Sequence, residues 1–189
     1  INNGGTLDIM EDVSCFSYGQ GIENKYKNLI SNIGTFNIRG GYIYGSGAYS
    51  IIIKNGTDGS LNIFNGKIEG NNYNGSCCIC NYGMFNINDG TIVAKKYNAI
   101  ENYNSGKLNI TGGTINCTNS NYGIYNKASM TITGGTITNS NSSSSSITTI
   151  YNNGSDVAEI KNITINLNGK YMYGIRNEGS NKLKISNVT

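Results

Sequence analysis

Histidine, proline and tryptophan are absent from the 189 residues, and charged side chains are scarce at 13%. Without histidine no imidazole can serve as base to a serine or cysteine nucleophile, so the abundant Ser and Thr have no triad to join. The same absence leaves the run Cys77-Cys78-Ile79-Cys80 short of a zinc site, because neither a second Cys pair nor a His completes four ligands. Neither a metal nor a cofactor is therefore expected. Lys and Arg number 14 against 11 Asp and Glu, and the net charge of +3 is spread along the chain. Nucleic-acid binding needs clustered cations, so that class is set aside. No apolar run is long enough to cross a bilayer, and membrane insertion is not expected.

What is abundant points the other way. There are 26 Gly and 14 Tyr, Asn is very common, and Ile dominates the apolar set. β-Branched and aromatic residues suit pleated surfaces, while Asn and Gly suit turns and positive φ. A helical chain would need far more Ala, Leu, Glu and Lys, so an all-β protein is expected. The five cysteines are odd in number and irregular in spacing, so no disulfide framework follows from them. Their plain reading is as small buried hydrophobes.

Two short signatures alternate along the chain. The first is Ile-x-Asn, ending at Asn3, Asn24, Asn55, Asn81, Asn102, Asn126, Asn152 and Asn177. The second, apolar-x-Ile-x-x-Gly-x-Ile, runs over 36–43, 61–68, 85–92, 108–115 and 130–137, with a degenerate copy over 158–165. In the second coil Ile30/Asn32 also fits the first signature. The gap from Val13 to Ile22 favours Asn24, and 25–34 then becomes a long loop. Within each signature apolar and polar residues alternate with period two, which marks strands. Such strands are too short to stand alone, but stacking equivalent coils about 4.8 Å apart pairs each with its copy in the next turn. The expected fold is a right-handed parallel β-helix of about eight coils of about 25 residues, forming one domain over 1–189. The Asn column should form a hydrogen-bonded ladder, and the Gly-Gly pairs should mark a second bend. The longest inter-signature segment, Thr138–Thr149, is expected to be a mobile loop. The chain opens inside one motif and stops inside another, which suggests a segment of a longer protein.

Asn-Tyr-Gly-Ile-Tyr-Asn at 121–126, followed by Met-Thr-Ile-Thr-Gly-Gly-Thr-Ile at 130–137, resembles the right-handed parallel β-helix proteins of the pectate-lyase-like superfold. The flavour is that of repetitive extracellular proteins of low-GC Gram-positive bacteria. That resemblance implies a fold far more than a function, because lyases, hydrolases, adhesins and tailspikes share the architecture. Lyases of the group hold Ca²⁺ on acidic residues and use a basic residue to abstract a proton. Hydrolases need two or three carboxylates within a few ångströms. Here no column of the coil alignment carries two acids on neighbouring coils: Glu23 and Glu101 are three coils apart, and Asp8 and Glu159 six. No catalytic residues are assigned.

Function is then expected to lie on the outer faces. The outward position of Ile-x-Asn holds Cys80, Glu101, Tyr125, Tyr151 and Arg176 on successive coils, and Tyr82 and Tyr103 follow the Asn on two neighbours. Tyr82, Tyr103, Tyr125, Tyr151 and Arg176 are the candidate ligand-binding residues, since aromatic rings suit sugar C–H faces. Cross-coil stacking that merely stabilises the strands is the simpler reading of the same residues. The other strand presents Asn37, Asn62, Asn86, Asn109 and Thr131, a flat, weakly charged array. The expected function is a non-catalytic extracellular or cell-surface stalk or adhesin module. A glycan-binding or polysaccharide-processing domain is the alternative. Expected partners are a glycan or host surface, and sister molecules joined end to end through exposed coil edges.

Overall fold

The computed structural model describes residues 1–19, 28–47, 51–72, 77–142, 146–180 and 182–189. Strands of two to six residues dominate, with one longer strand at Ala158–Gly169, and no helix forms among the described residues. The Ile-x-Asn signatures become the first sheet. It stacks Asn2–Asn3, Asn28–Asn32, Ile51–Asn55, Ile79–Asn81, Ile100–Asn102, Tyr122–Asn126, Ile147–Asn152 and Met172–Asn177 in that order. The second signature splits at its glycine into two strands. The first halves, from Thr6–Ile9 to Ser129–Ile132, form a second stack, and the second halves, from Ser14–Gly19 to Thr136–Asn141, form a third. Ala158–Gly169 pairs with both and joins them into one 14-stranded sheet. Every pairing is parallel, and each strand's partner is its counterpart one turn away. The chain is a parallel β-solenoid.

About six turns of ~25 residues make up the solenoid, fewer than the eight expected. Six successive turns carry three separate strands each, from Asn2–Asn3 through Thr136–Asn141; in the next, Ala158–Gly169 replaces two of them, and after it Met172–Asn177 and Leu183–Val188 have no third-sheet strand.

Strand alternation places the interior. Ile30, Ile53, Ile79, Ile100, Ile124 and Ile150 form one fully buried column. Phe36, Leu61, Phe85, Leu108, Met130 and Ala158 form a second, and Ile43, Ile68, Ile92, Ile115 and Ile137 a third. Burying one such side chain contributes about 1.5–3 kcal/mol, so the stacked columns are the main source of cohesion. The bend between the second and third sheets repeats a backbone position with φ of +94° at Gly66, +91° at Gly90, +81° at Gly113 and +97° at Gly135. A Cβ on Gly90, Gly113 or Gly135 would lie 2.9 Å from the carbonyl oxygen of the equivalent glycine one turn earlier. Conformation and close packing therefore both require glycine there.

The asparagines form the expected ladder with one change of member. Asn3 donates from Nδ2 to Asn32 Oδ1 at 2.7 Å, and Asn32 to Asn55 at 2.7 Å. The chain of amides continues through Asn81, Asn102, Asn126 and Asn152 to Asn177, with distances of 2.6–2.8 Å. Asn32 thus fills the rung assigned to Asn24, which lies outside the described residues, as does Glu23. The predicted loop over 25–34 is corrected accordingly: Asn28–Asn32 is a strand, paired with Ile51–Asn55. The predicted loop Thr138–Thr149 is likewise largely strand, since Thr136–Asn141 and Ile147–Asn152 occupy most of it. Residues 143–145 lie outside the described residues.

The cysteines divide. Cys77 and Cys80 form a disulfide with Cα atoms 6.0 Å apart, a local bridge that the spacing did not suggest. Cys78 and Cys117 are free and buried, as expected of small hydrophobes, and Cys15 is free and half-buried.

Candidate ligand-binding face

Strand register fixes what the first sheet shows outward. Ser31, Lys54, Cys80, Glu101, Tyr125, Tyr151 and Arg176 are register partners in sequence along the axis. The residue after each ladder asparagine adds a parallel column containing Ile33, Tyr82, Tyr103, Lys127 and Glu178. All four candidate tyrosines therefore fall on one face, and all are half-buried.

The rings meet one another. Tyr82 and Tyr103 stack with centroids 5.6 Å apart, Tyr103 meets Tyr125 edge-on at 6.0 Å, and Tyr125 and Tyr151 are parallel at 5.4 Å. A fifth ring, Tyr122, stacks on both Tyr125 at 5.1 Å and Tyr151 at 5.0 Å. The sequence reading missed Tyr122 because it followed the Ile-x-Asn column alone. Tyr122 opens the same strand three residues before Tyr125, a spacing that period-two alternation would place on the opposite face, so the sequence held no signal for it. Most ring faces in the strip are thus spent on neighbouring rings, which is what cross-coil stabilisation requires.

Polar groups pin the strip at its centre and far end. Glu101 accepts from the Tyr103 hydroxyl at 2.7 Å and from Asn98 Nδ2 at 2.6 Å. Burial, together with this bond to a carboxylate, raises the Tyr103 phenol above its ordinary range. Tyr151 donates to Glu178, which also pairs with Arg176. The Tyr151 bond to Glu178, with some desolvation, lifts the phenol to about 12. The same bond, then Arg176, lowers the Glu178 carboxyl despite desolvation. Arg176 is the register partner of Tyr151 on the following turn. It reaches the strip through Glu178, and its guanidinium lies 6.0 Å from the Tyr173 ring. Lys127 sits over Tyr125 at 5.1 Å and Tyr103 at 5.7 Å, and Lys54 over Tyr82 at 5.8 Å.

Beyond Tyr82 the face opens into a hollow of about 430 Å³ lined by Ser31, Ile33, Lys54, Gly56, Thr57 and Tyr82. Ile33 is 61% exposed there, so the hollow has an apolar floor edge beside an amine and hydroxyls. Such a mixture suits a ligand with both C–H faces and polar rims.

The second sheet carries another amide ladder on its outer side. Asn109 donates to Asn86, Asn86 to Asn62, Asn62 to Asn37, and Asn37 to the Asp8 carboxylate, over 2.8–3.0 Å. It runs opposite to the inner ladder and ends on an anion. On the third sheet, nearly buried Glu69 takes bonds from Lys67 and Lys95 at 2.6 Å and from the Tyr42 hydroxyl at 2.9 Å. Burial alone would raise its carboxyl, but these three donors outweigh that and hold it at about 2.

Among the described residues one group has the chemistry of a metal site. Cys77, Cys80 and Glu101 place their ligand atoms within 4.8 Å of one another. No family model, no curated protein and no solved structure matches the chain.

Proposed function

We propose that the chain is a non-catalytic surface rod, a stalk or adhesin module displayed outside the cell. The observation that carries this reading is the inner ladder, seven amide-to-amide hydrogen bonds in an unbroken row from Asn3 to Asn177. A repeated cross-section with a hydrogen-bonded spine spans about 34 Å in seven steps of ~4.8 Å and suits spacing and presentation more than turnover. The acids support the same reading. Glu69 is committed to two lysines, Glu178 to Arg176 and Tyr151, and Asp8 to Arg39 and Asn37. On the motifs at 121–126 and 130–137 we place the coil with right-handed, pectate-lyase-like helices and its source among low-GC Gram-positive bacteria. Antibody labelling of intact source cells tests the display. Labelling without permeabilisation is expected, and labelling only after lysis would contradict it.

A second reading, glycan binding, is favoured by the hollow beside Tyr82. Because ring faces along the strip cover one another, the sugar-accessible surface is the Lys54–Tyr82 end. A glycan array with the wild type and Tyr82→Ala tests it. Binding lost in Tyr82→Ala would support an adhesin that grips sugar, and no binding by the wild type would leave the rod without that ligand.

A further inference from the structure

The disulfide of the first sheet lies directly against a carboxylate from the next turn. Register pairs Cys80 with Glu101, and Cys80 Sγ is 3.8 Å from Glu101 Oε2. Cys77, Cys80 and Glu101 keep their three ligand atoms within 4.8 Å. We propose that Cys77, Cys80 and Glu101, once the disulfide is reduced, bind a divalent cation of the zinc class.

The geometry fits the ion. Tetrahedral zinc with bonds of about 2.3 Å to sulfur and about 2.1 Å to a carboxylate oxygen needs sulfur–oxygen edges of roughly 3.6 Å and a sulfur–sulfur edge of roughly 3.8 Å. The Cys80–Glu101 edge already stands close to that value. With Cα atoms 6.0 Å apart, the two cysteines need only side-chain rotation to open from a bonded pair to that spacing. Glu101 is held from outside by Asn98 Nδ2 on Oε1 and the Tyr103 hydroxyl on Oε2, the kind of support that orients a ligating carboxylate. The fourth position is left to water. Two thiolates among three protein ligands select a soft or borderline ion over Ca²⁺ or Mg²⁺.

The site is redox-gated, because the sulfurs are either bonded to each other or available to the ion. A dithiol donor supplies two electrons and two protons, becoming a disulfide itself, and leaves Cys77 and Cys80 as thiols. Binding of M²⁺ then releases the two thiol protons. The linear spacing hides this set, since its third ligand comes from the following turn.

The test uses the full chain, reduced with a phosphine and titrated with Cd²⁺ while thiolate-to-metal absorption is followed, then with Zn²⁺ against a chromophoric chelator. The reduced wild type is expected to take one cation per chain. The untreated disulfide form should take none, and Cys77→Ser/Cys80→Ser should lose the absorption although Cys15, Cys78 and Cys117 remain. Glu101→Gln should bind at least about 10-fold more weakly. Far-UV circular dichroism checks the fold of each variant, and if the double-serine chain does not fold, Glu101→Gln decides the matter alone. No thiolate absorption in the reduced wild type would overturn the proposal. So would a signal that survives in the double-serine variant, or Zn²⁺ affinity unchanged in Glu101→Gln.

Discussion

Asn102, itself fully buried, takes a bond from Asn81 and gives bonds to Asn126 Oδ1 and to the Ser129 and Gly106 carbonyls. Truncation strands several of these partners, and an unsatisfied buried group costs about 1–3 kcal/mol. Asn102→Ala should therefore lose about 3 kcal/mol in urea unfolding, whereas Asn109→Ala, at the half-buried end of the outer ladder, should lose under about 1 kcal/mol. Asn139 and Thr149 are the opposite case, because their buried side-chain polar atoms have no partner. The register neighbour of Asn139 one turn on is already Leu167. Asn139→Leu should add about 1–2 kcal/mol to the unfolding free energy, seen as a higher urea midpoint with an unaltered slope. Glu69 sets an acid limit. Its folded pKa of about 2 lies below the ordinary 4.5, so its stabilisation is complete above about 4.5 and is lost as pH falls towards 2. The effect should be roughly 1–2 kcal/mol, since both lysine ends are half exposed and screened. Melting temperature against pH should flatten over this window in Glu69→Gln.

At the scale of the strand, the tyrosine strip is a cross-turn element more than a set of separate ligands. Tyr125 contacts Tyr103, Tyr122 and Tyr151, and each ring pair is worth about 0.5–1.5 kcal/mol beyond burial. Tyr125→Ala should lower stability by about 2 kcal/mol even if no ligand is ever found. Alternation and column position made Tyr82, Tyr103, Tyr125 and Tyr151 legible in the sequence as sharing one face. How their rings turn was not legible, because ring orientation depends on neighbours such as Glu101, Glu178 and Lys127 that only the register brings together. The metal-type set at Cys77, Cys80 and Glu101 was hidden for the same reason.

At the scale of the molecule, stacking was readable because period-two alternation and a ~25-residue recurrence have few other physical solutions. The second turn was misassigned because gap length was used to choose Asn24. Loops between sheets change length without disturbing the stack, so a gap carries little register information. The amide ladder carries more, since Asn32 both accepts from Asn3 and donates to Asn55. That ladder is the central claim, and side-chain amide hydrogen exchange followed by NMR tests it most directly. The Nδ2 protons of Asn32, Asn55, Asn81, Asn102, Asn126 and Asn152 should exchange only through unfolding of the stack, far more slowly than those of exposed Asn104. Exchange at the rate of Asn104 would contradict a buried, hydrogen-bonded spine.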